Sequence, residues 1–109
     1  MHELAVTQGV VDTVTARTGD ARVTAVRLEI GRLSGVVPDA VRFCFDVVAA
    51  GTPLEGASLE IAEPPGRATC RACGSAFDTD DPILLCACGS ANVEVVGGDQ
   101  LRITTVEVV

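Results

Sequence analysis

The chain has 109 residues, of which 48% are hydrophobic and 21% charged, a composition typical of a single globular domain. Eight arginines, no lysine and fifteen acidic residues give a formal net charge of −7. Nucleic-acid binding depends on clustered cations, and here the arginines are scattered singly, so we expect no nucleic-acid partner. The absence of lysine excludes Schiff-base chemistry and a Walker-type phosphate site. The chain shows neither a membrane-spanning run nor a secretory signal pattern, and we expect a cytoplasmic protein with no membrane partner.

The first part of the chain predicts two helices and two strands. Apolar residues three or four positions apart predict a helix over Glu3–Arg17, and period-two alternation predicts a strand over Arg22–Ile30. Pro38 suits the first position of a second helix, which we expect to end at Gly51. Alternation returns in a second strand around Leu59–Ile61.

The composition changes after residue 64. The next two dozen residues contain four of the five cysteines and few large hydrophobic side chains, so this segment needs a metal or another staple to fold. Alternation resumes at Leu101 and changes phase at Thr104–Thr105, which indicates a β-bulge or a frayed end. The acidic residues at 78, 80 and 81 indicate a solvated loop.

These elements predict an α+β fold with a small antiparallel or mixed sheet and two helices, into which a zinc-ribbon-like module with four cysteines is inserted. The α+β domain comprises residues 1–64 and 98–109, and the module comprises residues 65–97.

The cysteines have the spacing of a metal site. Cys70 and Cys73 form a CxxC pair, and Cys86 and Cys88 form a shorter CxC pair after twelve intervening residues. Four thiolates suit tetrahedral Zn²⁺, and such a filled site is coordinatively closed, which favours a structural role. A rubredoxin-like iron centre, disulfides and free thiols are the alternatives, and a reducing cytosol disfavours disulfides. We interpret the remaining cysteine, Cys44, as a small buried hydrophobic residue.

The amino terminus is a second candidate metal site. The α-amine of Met1, the backbone nitrogen of His2 and its imidazole can form fused chelate rings around Ni²⁺ or Cu²⁺. The fourth ligand could be the Glu3 amide, its carboxylate, water or a donor from a partner. The alternative interpretation of His2, the only histidine, is a solvated terminal side chain.

Three motifs and the cysteine module together resemble a known family. The motifs cover Met1–Leu4, Ile30–Ala40 and Gly51–Ala57, and in order and spacing they are similar to the HypA/HybF hydrogenase-maturation nickel chaperones across essentially the whole chain. The resemblance implies a nickel-binding α+β domain and a zinc-binding domain. It also implies delivery of Ni²⁺ to the large subunit of [NiFe]-hydrogenase together with a HypB-type GTPase.

The resemblance assigns roles to individual residues. His2 matches the family's nickel ligand, Met1 and Glu3 match the flanking donors, and four cysteines match the zinc ligands, namely Cys70, Cys73, Cys86 and Cys88. The family typically has a second CxxC where this chain has CxC, so we expect a tighter turn at that pair.

The leading hypothesis is therefore a nickel metallochaperone, a monomer or homodimer, that transfers Ni²⁺ and keeps Zn²⁺. The alternatives are a zinc-ribbon protein-interaction module without nickel transfer and a rubredoxin-like electron carrier. An enzyme is disfavoured because one histidine, with no lysine or tyrosine, leaves few groups for acid–base or nucleophilic chemistry.

Overall fold

A computed structural model of the chain describes residues 2–109, and it confirms an α+β fold with two helices and small sheets. The elements in chain order are α1 (Glu3–Thr18), β1 (Val23–Ile30), α2 (Pro38–Ala49), β2 (Ser58–Ala62), β3 (Gly66–Cys70), β4 (Ala76–Thr79), β5 (Val93–Gly97) and β6 (Leu101–Val108). The strands form two three-stranded sheets in the orders β2-β1-β6 and β4-β3-β5. Neither helix in this part of the chain is long and apolar enough to cross a membrane.

Both helices lie where their sequence patterns predict them. The second helix begins at Pro38 and ends at Ala49, slightly before the predicted end at Gly51. It ends there because Ala50 leaves helical geometry with ψ 130 and Gly51 takes the left-handed conformation with φ 77. The N–H of Thr52 then donates to the Ala49 carbonyl at 3.0 Å and closes the last turn.

The first sheet is mixed, with β1 at its centre. Strand β2 runs parallel to β1, because α2 forms the crossover between them, and β6 runs antiparallel on the other side. Opposite Arg27 and Leu28, the β6 partners are Thr105 and Ile103. Thr104 is therefore an extra residue in the ladder, which confirms the bulge predicted from the phase change.

The hydrophobic core belongs to the first sheet and the two helices. Its twelve buried residues all lie between positions 10 and 54: Val10, Val11, Val14, Val23, Val26, Leu28, Ile30, Val36, Val41, Phe45, Ala49 and Leu54. In the second sheet and its loops, the buried hydrophobic residues are Ala68, Cys70 and Cys86. The second sheet therefore has almost no apolar core of its own, as the composition predicts.

The loop after β1 joins the two sheets. The N–H of Arg32 donates to the Pro64 carbonyl at 3.0 Å, and the N–H of Leu33 donates to the Gly98 carbonyl at 2.8 Å. Backbones approach so closely here that a Cβ on Gly66 or Gly98 would clash with neighbouring backbone atoms. These glycines permit the close approach of the backbones at the junction between the two sheets.

The three acidic residues of the predicted solvated loop are exposed, and Asp80 and Asp81 lie in the loop after β4, but Asp78 belongs to the strand. Asp78 lies in β4, and its carboxylate accepts a hydrogen bond from Arg67 at 2.7 Å. Asp80 accepts one from Arg32 at 2.8 Å, across the junction between the sheets. Sequence reasoning missed these pairs because both arginines are remote in the chain.

Candidate metal centres

The four cysteines of the two close pairs come together at one end of the second sheet. Cys70 ends β3 and Cys73 lies in the turn that follows, while Cys86 and Cys88 lie in the turns before β5. All four sulfur atoms lie within 4.8 Å of one another. The Sγ atoms of Cys70 and Cys88 are 3.7 Å apart, and those of Cys73 and Cys86 are 3.6 Å apart. The shorter CxC pair thus still directs both sulfurs into the cluster.

These distances fit a tetrahedral zinc centre. Zn–S bonds of about 2.3 Å in a tetrahedron place the sulfurs about 3.8 Å apart, close to the two distances above. A disulfide needs a separation of about 2.05 Å, and the cysteines of the cluster are free in the structure. The cluster is therefore compatible with structural zinc and has the geometry of a metal site rather than of two disulfides.

The backbone around the sulfurs forms tight turns that are closed by N–H to carbonyl hydrogen bonds. The N–H of Gly74 donates to the Cys70 carbonyl at 2.8 Å, and the N–H of Gly89 donates to the Cys86 carbonyl at 2.9 Å. Both glycines have positive φ, 79 and 93 respectively, and the sequence indicates these turns by placing a glycine directly after each pair. Within these turns, the backbone N–H groups of Ala72 and Cys73 are directed at the Cys70 sulfur and that of Cys88 at the Cys86 sulfur, as in metal-binding knuckles.

The thiols differ in their acidity. Hydrogen bonding with the side chain and the backbone of Ser75 lowers the pKa of Cys73 to about 6. The N–H of Cys73 lowers the pKa of Cys70. A hydrogen bond from the Cys88 N–H tends to lower the pKa of Cys86. Burial and the neighbouring thiols have the larger combined effect and raise this pKa to about 12. A bound dication would favour the thiolate form of these neighbouring groups, because metal ligation requires thiolates and releases their protons.

The other candidate ligand lies far from this cluster in the chain, at the start of α1. His2 is exposed and occupies the position just before the first helical residue, with φ −92 and ψ 89. Its carbonyl accepts the first helical hydrogen bond, from the Val6 N–H at 3.0 Å. Met1 lies outside the described residues. The structure does not group His2 with the cysteines, since the cluster of metal-ligating side chains in residues 2–109 contains cysteines only.

The side chain of Glu3 has a specific partner. Its Oε2 accepts a hydrogen bond from the Val37 N–H at 3.2 Å, at the start of α2. This bond lowers the pKa of Glu3, while partial burial acts in the opposite direction. A carboxylate is stabilised by the free N–H groups at a helix N-terminus. The sequence shows that Glu3 is acidic and that a second helix starts after Val37. It does not show that the Glu3 carboxylate, at the start of α1, contacts the start of α2.

Cys44 is partly buried on α2, less enclosed than the predicted hydrophobic role requires. It lies outside the cluster of four cysteines.

Fold and cysteine geometry together define a small α+β metal-binding protein with a four-thiolate centre. A family model described as "Hydrogenase/urease nickel incorporation, metallochaperone, hypA" matches residues 1–108. The hydrogenase maturation factor HypA of Nostoc sp. is 47% identical over 108 residues, covering 99% of this chain and 96% of that protein. HypA of Geobacter metallireducens is 48% identical over 109 residues, covering 99% of each chain.

The solved structures agree on the fold. The solution structure of the nickel metallochaperone HypA from Helicobacter pylori has a TM-score of 0.65 at 19% identity, covering 99% of this chain and 97% of that one. The chain belongs to the HypA family of hydrogenase maturation factors, metallochaperones for nickel incorporation. The family predicted from the sequence motifs is thereby confirmed.

Proposed function

We propose that this chain binds Ni²⁺ through His2 at its amino terminus and delivers it to the large subunit of [NiFe]-hydrogenase during maturation. The observation that carries the proposal is the position of His2, which is exposed immediately before the first residue of α1. We assign the nickel-binding domain to residues 1–64 and 98–109 and the zinc-binding module to residues 65–97.

The start of a helix supports metal binding through backbone nitrogens. The first N–H groups of an α-helix have no acceptor within the helix, so the amide nitrogens of His2 and Glu3 are not needed to hold α1 together. A deprotonated amide is anionic, and the helix N-terminus stabilises negative charge. With the His2 imidazole and the α-amine of Met1, these nitrogens make the donor set that Ni²⁺ accepts in a square plane.

The contact between Glu3 and α2 bears on which atom of Glu3 binds the metal. Its carboxylate is engaged by the Val37 N–H, so we propose that Glu3 contributes its backbone nitrogen to the metal. The carboxylate then serves to hold the start of α1 against the start of α2. It is a positioning group, and it keeps the terminal residues in a defined place relative to the core.

We propose that four cysteines hold a resident Zn²⁺, namely Cys70, Cys73, Cys86 and Cys88. When bound, zinc closes the coordination shell and supplies folding free energy without an open position for chemistry. We assign no catalytic activity to the chain. The partners we propose are a HypB-type GTPase and the hydrogenase large subunit, and we place the protein in the cytoplasm.

The proposal is tested by titrating Ni²⁺ into zinc-loaded protein that starts at its native Met1, using calorimetry with parallel metal analysis. We expect one further Ni²⁺ per chain in the native form and its loss in His2→Ala, with zinc retained. Protons compete for the nitrogen donors, so Ni²⁺ affinity falls on acidification. Equal Ni²⁺ binding by native protein and His2→Ala would contradict the proposal and leave a zinc-ribbon interaction module.

A matched pair of variants tests the role of Glu3. Glu3→Gln keeps an acceptor for the Val37 N–H and keeps the backbone nitrogen, so we expect Ni²⁺ affinity within a few fold of the native value. Glu3→Ala removes the contact with α2, and we expect a larger loss of affinity at unchanged stoichiometry. A loss as large in Glu3→Gln as in Glu3→Ala would show that the carboxylate itself binds the metal.

A further inference from the structure

In the part of the chain that the structure describes, β6 is an edge strand of the first sheet. Among residues 2–109, β6 pairs with β1 on one side and with no strand on the other. Next to this edge, α1 leaves a shallow apolar groove, lined by Val6 and Val10 from the helix and Leu101 and Ile103 from the strand. A free, eight-residue edge strand beside apolar surface is a template for pairing with another strand.

The bulge at Thr104 decides which β6 side chains share a face. Ile103 lies opposite Leu28, and Val106 lies opposite Val26. Both partners are buried in the core, and both β6 residues pack against it. In a regular strand, residues three apart face opposite sides, so the extra residue is what brings Ile103 and Val106 to the same face.

The charged side chains of β6 lie on the other face of the sheet. Arg102 lies opposite Glu29, and Glu107 lies opposite Ala25. Both Arg102 and Glu107 make ion pairs on the outer face of the sheet, with Glu29 and Arg27 respectively.

This arrangement makes β6 complementary to itself. In an antiparallel pair of β6 strands with a two-fold axis between Thr104 and Thr105, Arg102 of each copy lies opposite Glu107 of the other. Ile103 then lies opposite Val106, and every pair joins side chains of the same face. A register shifted by one residue would set Arg102 opposite Val106, which mixes the two faces. The bulge therefore selects the register in which the charges match.

The charged groups are free to make these contacts. The side chains of Arg102 and Glu107 are 64% and 54% exposed. Arg102 binds Glu29 through Nε at 2.7 Å, which leaves its terminal nitrogens for a second carboxylate. Arg27 is 3.9 Å from Glu107, a distance that does not saturate that carboxylate. Opposite charges directly across an antiparallel pair are stabilising, and here they occur twice by symmetry.

The helix beside the edge leaves room for a second copy. The side of α1 near β6 carries small, exposed residues at one-turn spacing, Ala5, Gly9 and Thr13. A Cβ built on Gly9 meets nothing within 4 Å. Two copies of α1 can therefore pass each other closely above the paired strands.

The opposite edge of the sheet lacks this complementarity. Strand β2 runs Ser58–Ala62 with Glu60 at its centre and exposed. Antiparallel pairing of two β2 strands about that centre sets Glu60 against Glu60 of the second copy, which is destabilising.

We propose that the edge of β6 is a homodimer interface, at which two copies of the chain form a continuous six-stranded sheet in the order β2-β1-β6-β6-β1-β2. Ala5 and Leu101 line the same groove, so α1 begins beside the Leu101 end of β6. The two-fold axis then sends the two amino termini to opposite ends of the dimer. Each chain keeps its own metal sites, and the proposal does not rest on nickel binding.

The test is sedimentation analysis of the zinc-loaded full chain from roughly 5 µM to 1 mM, with two charge-reversal variants. Arg102→Glu sets Glu against Glu107 of the second copy, and Glu107→Arg sets Arg against Arg102. We expect each variant alone to raise the dimer dissociation constant by roughly tenfold or more. In an equimolar mixture of the two variants, every cross-strand pair is again Glu with Arg, so we expect a heterodimer with near-native affinity.

The mixture separates the interface from effects within one chain, because the altered contacts with Glu29 and Arg27 are the same alone and mixed. Glu60→Arg reverses a charge that also pairs with Arg27, but on the other edge, and should leave the dimer unchanged. Far-UV circular dichroism and zinc content verify the fold of each variant. In the native chain, high salt should weaken the dimer.

Three results would overturn the proposal. One is a native chain that stays monomeric throughout, which would leave the edge to a strand of another protein. The others are dimerisation that both charge reversals leave unchanged, and a mixture that associates no better than its separate components.

Discussion

The junction between the two sheets gives a sharp test of the fold. Gly98 has φ +84, and a Cβ there would clash with the Pro65 carbonyl and with the backbone of Gly66. A side chain in this left-handed region costs about 1–3 kcal/mol, and the clash cannot be relieved by a flexible side chain. Backbone displacement adds a cost of similar size, so we expect Gly98→Ala to lower the free energy of unfolding by about 2–5 kcal/mol.

The neighbouring glycine is a matched control. A Cβ on Gly97 would meet only the Arg67 Cβ, at 3.5 Å, an ordinary van der Waals contact, and φ is not positive there. Gly97→Ala should therefore stay within about 1 kcal/mol of the native chain. Urea unfolding of both zinc-loaded variants, followed by far-UV circular dichroism, measures the difference. The loss of unfolding free energy should be larger in Gly98→Ala than in Gly97→Ala. A difference between the two variants below about 1 kcal/mol would show that the inferred tight junction is wrong.

Two further predictions concern the metal centre and an ion pair on the first sheet. Removing zinc with a chelator should unfold β3 to β5 and leave α1, α2 and β1 folded, because all twelve core residues lie between positions 10 and 54; amide NMR spectra that kept the dispersion of β3 to β5 would contradict this. Arg102 lowers the pKa of Glu29 chiefly through a hydrogen bond, so Glu29 stabilises the fold above its unfolded-state pKa and this contribution is lost as pH falls through the lowered value. The difference in unfolding free energy between the native chain and Glu29→Gln should therefore shrink between about pH 6 and pH 3.5, and a difference independent of pH would refute it.

Local signals in the sequence predicted the elements of the first sheet and the helices. Period and capping placed α1 and α2 to within two residues, because their apolar faces and Pro38 are properties of neighbouring residues. The bulge at Thr104 was also readable, since an extra residue shifts the alternation that burial imposes. The cysteine spacing predicted a four-thiolate cluster, and the sulfurs do converge.

Contacts between remote elements were not predictable. The bond between the Glu3 carboxylate and the Val37 N–H depends on how α1 and α2 lie against each other. The same holds for the pairing of Arg32 with Asp80, which are 48 residues apart. From the sequence alone, each of these residues can be interpreted as an exposed, solvated side chain. The packing of the core determines which partner it contacts.

The two candidate metal environments differ in how readily a ligand can be exchanged. In the cysteine cluster two of the four thiols, Cys70 and Cys86, are buried, and the tight turns of the chain hold the sulfurs within 4.8 Å of one another. Releasing a metal there would mean undoing the turns that order a sheet with almost no apolar core. His2, by contrast, is exposed and precedes the helix, so a metal bound there as proposed can leave without breaking a helical hydrogen bond. Under the proposed assignment of zinc to the cysteine cluster and nickel to the amino terminus, these features suit the first site to retaining its ion and the second to releasing it, as a metallochaperone requires.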